Sequence, residues 1–290
     1  MKVKFWGTRG SIAVTGKNYC KYGGNTPCIE IQSDNYDELI VFDAGSGIRQ
    51  LGINLIDRPH HRNIKLFLSH FHTDHIVGLP FFAPLYSDEF KIDIFAQPYS
   101  LKTTEEILDL ILSPPLFSIT KDYFKCKISF NDIQSGFVYE NPKFNIETIK
   151  LNHPNPTLGY KITYKNKKLV YFTDNELIQN NHEIDEIETL ILKNHKNLID
   201  FCLDADILIH DSSYSFEDYN RRIGWGHSSN LAVALFAKLA RVKNLYLFHY
   251  DPEYDDDFID QFLEETKSYL KEINCNTNCF ASFDYLELDF

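Results

Sequence analysis

Four side chains of types that bind metal ions lie within six consecutive positions of this chain: His70, His72, Asp74 and His75. Imidazole and carboxylate groups at this density suit a borderline metal ion such as zinc. The apolar segment 64–68 before them predicts a short buried strand, so the ligands come where a strand ends and the chain turns. His70 and His72, two residues apart, can bind one metal ion. Asp74 and His75 lie past the turn and can reach a second.

Four more polar residues each follow an apolar segment that predicts a strand: His153, Asp174, Asp211 and His249. Side chains at strand ends are held by the packed sheet and project into a shared edge. We therefore expect these strand ends to contribute to the same site as the first run.

The elements that must position these residues are short strands and helices along the whole chain. Strands are predicted at 3–6, 28–32, 39–42, 64–68, 92–96, 144–150, 158–164, 168–172, 207–210 and 245–248. Helices are predicted at 101–112, from a Ser228-Ser229 cap through Leu239, and at 256–273. No low-complexity linker interrupts the pattern, so we interpret residues 1–290 as a single domain made of two similar halves.

Composition narrows the class of protein and its partners. The chain has 290 residues, of which 43% are hydrophobic, and this is enough for a full core. The formal net charge of −12 argues against long nucleic acids as the main partner, because a groove for a polyanion needs clustered Lys and Arg. Six scattered cysteines without a C-x-x-C motif are typical of a reducing compartment. With no apolar leader and no membrane-length apolar stretch, we predict a cytoplasmic protein without a membrane partner.

Five further motifs, together with the run from His70, carry a resemblance to a known family. They are Gly-Thr-Arg-Gly-Ser at 7–11, Tyr-Gly-Gly-Asn-Thr at 22–26, Asp-Ala-Gly-Ser-Gly-Ile-Arg at 43–49, Gly-Trp-Gly-His-Ser at 224–228 and Phe-His-Tyr-Asp-Pro at 248–252. The chain resembles the metallo-β-lactamase superfamily, and within it the phosphodiesterase branch that includes cyclic-nucleotide phosphodiesterases and anti-Pycsar enzymes. Its metal-site arrangement is also similar to that of transfer-RNA 3′ processing enzymes. The segment 98–139 matches this pattern least.

The resemblance implies an α/β fold, a four-layer αβ/βα metallo-β-lactamase sandwich with two divalent metal ions at its edge. It implies that the first ion is held by His70, His72 and His153. It implies that the second is held by Asp74, His75 and His249, and that Asp174 bridges both. Zn²⁺ is the favoured metal and Mn²⁺ the alternative, and a metal-bridging hydroxide is the expected nucleophile. A homodimer is also implied.

The resemblance further assigns His227 to protonation of the leaving group, with Asp211 orienting it and Asp74 counted with them in the catalytic set. An imidazolium can donate a proton to a departing alkoxide, and a carboxylate can fix its tautomer. For Asp211 a structural role is an equal alternative. His210 is expected to point away from Asp211, because side chains alternate along a strand. The remaining histidines in polar contexts carry no signal for a site: His60, His61, His182 and His195.

The predicted function is that of a dinuclear-metal phosphodiesterase that hydrolyses a small cyclic phosphodiester, with a cyclic nucleotide as the leading substrate. Transfer-RNA 3′ processing is the second enzyme hypothesis, but the short gap between His153 and Asp174 leaves room only for a hairpin and not for a long substrate arm. The third hypothesis is a metal-containing protein that binds or carries a nucleotide without turnover. The aromatics of segment 81–86 could stack on a base or pack in a core or dimer contact, and both alternatives stay open.

Overall fold

The computed structural model describes residues 1–33, 37–58, 60–177 and 184–290. The chain forms two compact units. The first contains residues 1–15, 23–134 and 283–290, and the second contains residues 16–22 and 135–282.

The strands in chain order are β1 (Lys2–Gly7), β2 (Cys28–Gln32), β3 (Glu38–Phe42), β4 (Asn63–Phe67), β5 (Lys91–Ala96), β6 (Lys127–Asp132), β7 (Val138–Glu140), β8 (Phe144–Lys150), β9 (Leu158–Tyr164), β10 (Lys167–Phe172), β11 (Ile207–Asp211), β12 (Asn244–Phe248), β13 (Asn278–Ala281) and β14 (Glu287–Asp289). The α-helices are α1 (Ile48–Ile56), α2 (Thr73–Ile76), α3 (Thr104–Ile111), α4 (Ile184–Asn194), α5 (Lys196–Cys202), α6 (Phe216–Tyr219), α7 (Asn230–Leu239) and α8 (Asp256–Glu272).

The sheet of the first unit has the strand order β14-β1-β2-β3-β4-β5-β6 among the described residues. Pairing is antiparallel from β14 to β3 and parallel from β3 to β6. Because β3, β4 and β5 are parallel neighbours, their carboxyl ends meet at one edge of the sheet, where ligands bind in α/β folds. The residues after β3 and β4 therefore come together at that edge.

The sheet of the second unit has the order β13-β12-β11-β10-β9-β8-β7 within the described part of the chain. Its pairing follows the same scheme, antiparallel from β7 to β10 and parallel from β10 to β13. Strand β8 runs in the same direction as β10, since each pairs antiparallel with β9. The residues that follow β8, β10, β11 and β12 therefore leave the sheet at one edge.

Each sheet buries one face against its own helices. In the first unit, Leu39 and Leu66 pack in one cluster with Leu51 and Leu55 of α1. In the second unit, strand residues such as Leu208 and Leu245 pack with α7 and α8 in a separate cluster. Full burial of each such aliphatic side chain is worth about 1.5–3 kcal/mol, so the strand ends leave rigid, packed elements.

Among the predicted helix ends, the start of α3 differs most from the sequence-based expectation. Helix α3 begins at Thr104 rather than at 101, because Thr103 caps it: its side chain accepts from the Glu106 N–H, and the Glu106 side chain accepts from the Thr103 N–H. The cap predicted for α7 is confirmed, since the Ser229 side chain accepts from the Ala232 N–H.

Among the helices of the described residues, none combines the length and the apolar character needed to cross a bilayer.

Candidate metal centre

The first ligand cluster is formed almost entirely by local sequence. Strand β4 ends at Phe67, and α2 begins six residues later with His72 as its N-cap. The His70 ring centroid lies 4.4 Å from that of His72 and 4.3 Å from that of His75. His75 Nε2 lies 3.2 Å from Asp74 Oδ2. The turn thus gathers all four side chains of the run into one cluster, in which His70, Asp74 and His75 are buried and His72 is partly exposed.

Asp43 fixes this cluster from the end of the neighbouring strand β3. Its carboxylate accepts hydrogen bonds from Ser69 N at 2.7 Å, from Ser69 Oγ at 3.0 Å and from His75 Nδ1 at 2.9 Å. Ser69 Oγ also lies 3.0 Å from His70 Nδ1. Carboxylates and hydroxyls that hold Nδ1 in this way leave Nε2 as the metal-binding atom. The Asp74 carboxylate is oriented in turn by the Ser11 N–H, 2.8 Å away.

The second ligand cluster is built from three separate strand ends. His153, Asp174 and His249 follow β8, β10 and β12. Asp174 lies at the centre, with Oδ1 3.2 Å from His249 Nε2 and Oδ2 3.8 Å from His153 Nε2. His153 Nδ1 donates to the Gly226 carbonyl at 3.0 Å, and His249 Nδ1 lies 3.1 Å from Ser213 Oγ. The ring nitrogens that face Asp174 are therefore the Nε2 atoms in both histidines.

Backbone strain marks the same positions. Asp43, Asp174 and His249 have φ values of 60°, 46° and 64°, in the left-handed region that favours glycine. Each such residue costs on the order of 1–3 kcal/mol and persists where the surrounding structure enforces it, most often at functional sites.

Asp211 and His227 form a buried pair beside Asp174 and His249. His227 Nδ1 donates to Asp211 Oδ2 at 2.9 Å, and the His227 ring stacks on that of His249 with centroids 5.0 Å apart. Burial raises the pKa of Asp211, but the charge of His227 and its hydrogen bond lower it, and the net pKa lies below its usual value. Ser213 adds two hydrogen bonds to Asp211 Oδ1, from its N–H at 3.0 Å and its hydroxyl at 2.8 Å. Asp211 therefore accepts hydrogen bonds both from His227 and from its own loop, a geometry that suits an orienting role as well as a structural one.

Within the second unit, the ligand atoms of Asp174, His227 and His249 all lie within 4.8 Å of one another. The first unit carries the predicted ligands His70, His72, Asp74 and His75, and the second unit carries His153, Asp174 and His249. Their assignment to two metal ions stays a prediction. The donor set fits a divalent metal, because it offers carboxylates together with imidazoles, and the Nδ1 atoms of His70, His75, His153 and His249 already have hydrogen-bond partners. Burial also lowers the pKa of His153, which favours the neutral form that binds a metal.

Two of the five remaining histidines, His195 and His210, are buried. His210 is fully buried, and burial lowers its pKa to about 4. Its ring nitrogens contact the Asp211 carbonyl and the Asn175 amide, which fits the predicted structural role. His195 was placed in a polar, loop-like context, but it is buried just before α5 and burial lowers its pKa. His182 lies outside the described residues.

Sequence reasoning gave no role to two carboxyl groups that shape the site. Asp43 opens the motif at 43–49 and directly follows the strand predicted at 39–42, and this strand-end position could have indicated its role in the site. Glu176, two residues after Asp174, accepts hydrogen bonds from the loop that carries His227. Nothing local in the sequence pointed to it, since its partners lie 48 and 50 residues away.

Comparison with known proteins decides the family. Residues 39–250 match the family described as "Beta-lactamase superfamily domain". The chain belongs to this family. It is 29% identical over 293 residues to a Ribonuclease Z of Picrophilus torridus, with 87% of this chain and 86% of the relative covered. Among solved structures, the metallo-β-lactamase fold protein YhfI of Bacillus subtilis has a TM-score of 0.69 at 18% identity over 99% of this chain and 98% of that chain. A diphosphatase of the PhnP family has a TM-score of 0.68 at 16% identity over 100% and 97%.

These findings confirm two of the sequence-based predictions. The fold class is confirmed: the chain has two mixed sheets flanked by helices, the α/β fold of the metallo-β-lactamase superfamily. Family membership and the ligand sets also confirm a metal-dependent hydrolase of the phosphodiesterase class. The identity of the metal, the homodimer and the cytoplasmic location stay predictions.

Proposed function

We propose that this protein hydrolyses phosphodiester bonds at a dinuclear metal centre. The observation that carries the proposal is the buried pair Asp211–His227, whose histidine lies beside Asp174 and His249. Two divalent ions bound there would lower the pKa of a water molecule and so supply a nucleophile near neutral pH.

The residues of this chain supply the other half of the chemistry. Asp211 holds the Nδ1 proton of His227, so that Nε2 is the atom that can carry a second proton to a departing alkoxide. Stacking of His227 on His249 restricts the orientation of its ring. Asp174, in contact with both His153 and His249, is the bridging ligand of this proposal.

The first substrate we propose is the 3′ region of a precursor transfer RNA. Support comes from the Ribonuclease Z relative, which covers 87% of this chain and 86% of its own length. The expectation from net charge that long nucleic acids are poor partners is opposed by this relative. A total charge of −12 describes the whole chain and says little about a local surface that could bind RNA.

A small cyclic phosphodiester is the second candidate, favoured by a specific feature of the fold. All residues from His153 to Asp174 are described, and they form only the hairpin of β9 and β10. The compact connection offers no extended arm for a long substrate in this part of the chain.

The test is turnover by metal-depleted protein reloaded with Zn²⁺ or Mn²⁺. One arm uses precursor transfer RNA with a 3′ trailer, and the other uses a panel of cyclic mononucleotides and dinucleotides. Release of the trailer supports the first substrate, and ring opening of a cyclic nucleotide supports the second. His227→Ala should suppress the active reaction while leaving the metal content intact.

Absence of turnover in both arms at full metal content would overturn the proposal. Tight nucleotide binding without product would then favour the non-catalytic carrier. Equal loss of metal and of turnover in His227→Ala would contradict the proton-donor role.

A further inference from the structure

Glu176 is a buried carboxyl group whose three hydrogen bonds all go to one region of the second unit. Its side chain is 2% exposed. Oε1 accepts from the Tyr219 hydroxyl at 2.7 Å and from the Gly224 N–H at 2.7 Å, and Oε2 accepts from the Gly226 N–H at 3.2 Å. Burial, followed by the hydrogen bond to Glu176, raises the pKa of Tyr219, so the hydroxyl keeps the proton that it donates.

The segment 224–227, which we name the His227 loop, carries two functional groups of the site. The carbonyl of Gly226 accepts from His153 Nδ1 at 3.0 Å, and His227 is the next residue. Gly224 and Gly226 have φ values of 85° and 89°, a conformation that other residues rarely adopt. This backbone has no regular secondary structure of its own, so its position depends on the groups that accept its N–H donors.

The residues beside Glu176 hold the same loop and the His153 loop as well. Ser228 Oγ donates to the Asn175 carbonyl at 2.5 Å and accepts from the Leu177 N–H at 3.1 Å. On the other side, the Glu176 N–H donates to the Asn152 carbonyl at 2.8 Å, and Asn152 Nδ2 donates to the Glu176 carbonyl at 2.6 Å. A single short segment after β10 therefore contacts the neighbours of both His153 and His227.

We propose that Glu176 is a positioning residue for both His153 and His227, because it fixes the His227 loop. The Gly226 carbonyl of this loop orients His153, and the loop itself carries His227. Its effect on turnover rests on the proposed function, whereas its effect on metal binding and loop order does not.

The carboxylate is the group that this geometry requires. A glutamine at this position has one acceptor oxygen and one NH₂ donor. The NH₂ would face a backbone N–H or the Tyr219 hydroxyl, and at least one buried donor would lose its acceptor. The substitution therefore releases the His227 loop while every predicted metal ligand and His227 keep their chemical identity.

The test compares Glu176→Gln with Tyr219→Phe, the matched control that removes one donor and leaves both backbone hydrogen bonds of the loop. The first readout is metal affinity by competition with a chromophoric chelator. The second is time-resolved fluorescence anisotropy with acrylamide quenching. Trp225 lies inside the loop and is 62% exposed, whereas Trp6, the other tryptophan, is 2% exposed, so the quenchable signal reports the loop.

The third readout is the dependence of turnover on the leaving group. A nitrophenolate leaves without protonation, whereas an alkoxide needs the proton from His227. A displaced His227 therefore slows hydrolysis of an alkyl or ribose phosphodiester more than that of bis(p-nitrophenyl) phosphate. A general loss of structure would slow both alike.

For Glu176→Gln we expect metal affinity at least about 10-fold weaker, as for other groups that orient a ligand. We also expect faster local motion of Trp225 and an alkyl-ester rate reduced by about 100-fold, within the range for a proton donor. Tyr219→Phe should change each readout less. Unchanged metal affinity and unchanged Trp225 anisotropy in Glu176→Gln would overturn the inference.

Two further outcomes stay decisive. If the parent protein turns over no phosphodiester, the proposed function fails, but the metal and fluorescence readouts still decide the role of Glu176. If Glu176→Gln does not fold, Glu176→Asp takes its place. It keeps the two acceptor oxygens but withdraws them by one methylene, and wild-type metal affinity and loop order in it would contradict the proposal.

Discussion

In each of the two units, a carboxylate at a strand end accepts a hydrogen bond from a histidine Nδ1, but the two histidines have different predicted roles. Asp43 after β3 and Asp211 at the end of β11 each accept two hydrogen bonds from one serine and one from a histidine Nδ1. The histidine of Asp43 is His75, a predicted metal ligand. The histidine of Asp211 is His227, the predicted proton donor. A carboxylate at a strand end can therefore orient an imidazole either for metal binding or for proton donation, and the group that faces the imidazole's Nε2 decides which.

The units also use one buried carboxyl each to hold a glycine-containing loop. Asp284 Oδ2 accepts from the N–H groups of Gly24 and Asn25 and from Asn25 Nδ2. These bonds engage both the backbone N–H and the side-chain amide of Asn25. Glu176 does the corresponding work for the His227 loop. Burial raises the pKa of Asp284 to about 6.

The largest expected effect on metal content and turnover comes from removing the predicted bridging ligand rather than a ligand of one metal ion. Asp174 is the predicted bridge between both metal ions and lies between the Nε2 atoms of His153 and His249, whereas His72 is a predicted ligand of one ion. Asp174→Ala should therefore lose both equivalents of metal and more than about 1,000-fold in turnover, whereas His72→Ala should keep one equivalent. Elemental analysis after dialysis checks this. Equal stoichiometry in both variants would argue against a bridging Asp174.

The next effect contrasts two glycines of the His227 loop with the same backbone conformation. A Cβ at Gly226 would lie 2.1 Å from His153 Nδ1, whereas a Cβ at Gly224 meets nothing within 4 Å among the described residues. Both alanine variants carry the strain of a positive φ, about 1–3 kcal/mol. Only Gly226→Ala also displaces His153, and we expect it to lose about 100-fold in turnover together with metal affinity. Thermal unfolding and metal titration of the two variants provide the measurement, and similar metal affinities would contradict the expectation.

A third prediction tests the two strand-end carboxylates directly. Asp43→Asn should weaken metal binding by about 10- to 100-fold, because the tautomer of His75 is no longer fixed. Asp211→Asn should keep its metal but lose on the order of 100-fold in kcat, because His227 is no longer oriented. Metal titration and steady-state kinetics on both variants decide it. Loss of a metal equivalent in Asp211→Asn would instead make His227 a ligand, as its proximity to Asp174 and His249 allows.

The smallest effect concerns stability and pH in the first unit. The folded pKa of Asp284, about 6, lies above its ordinary value of 3.8, so the folded state keeps this proton to a higher pH. The contribution of Asp284 to the free energy of unfolding is therefore greatest below about pH 4. It is lost as the pH rises to about 6, by up to roughly 3 kcal/mol. Asp284→Asn should flatten the pH dependence of the free energy of unfolding in this window, measured by urea denaturation. Asp257→Asn, at an exposed position of α8, is the matched control. An unchanged slope in Asp284→Asn would refute the raised pKa.

The first ligand cluster could be predicted almost completely from the sequence, because its members are adjacent and follow one apolar strand. The second was predicted from polar residues after separate strands, with the family resemblance supplying the set. The hairpin of β9 and β10 and the cap of α7 were also predictable, since short-range hydrogen bonds define them. The hydrogen bonds of Glu176 to the His227 loop and to Asn152 were not, because each depends on a partner distant in sequence.

The sequence by itself determined which side chains could bind metal and that each would stand where a strand ends, since residue type and apolar periodicity are local properties. Only the tertiary structure decided which nitrogen of each histidine is held and which faces Asp174. It also decided that Asp211 meets His227 and that Glu176 holds the loop between His153 and His227. The physical reason is that a hydrogen bond depends on position within about an ångström, and for groups tens of residues apart only the packed sheet supplies that precision.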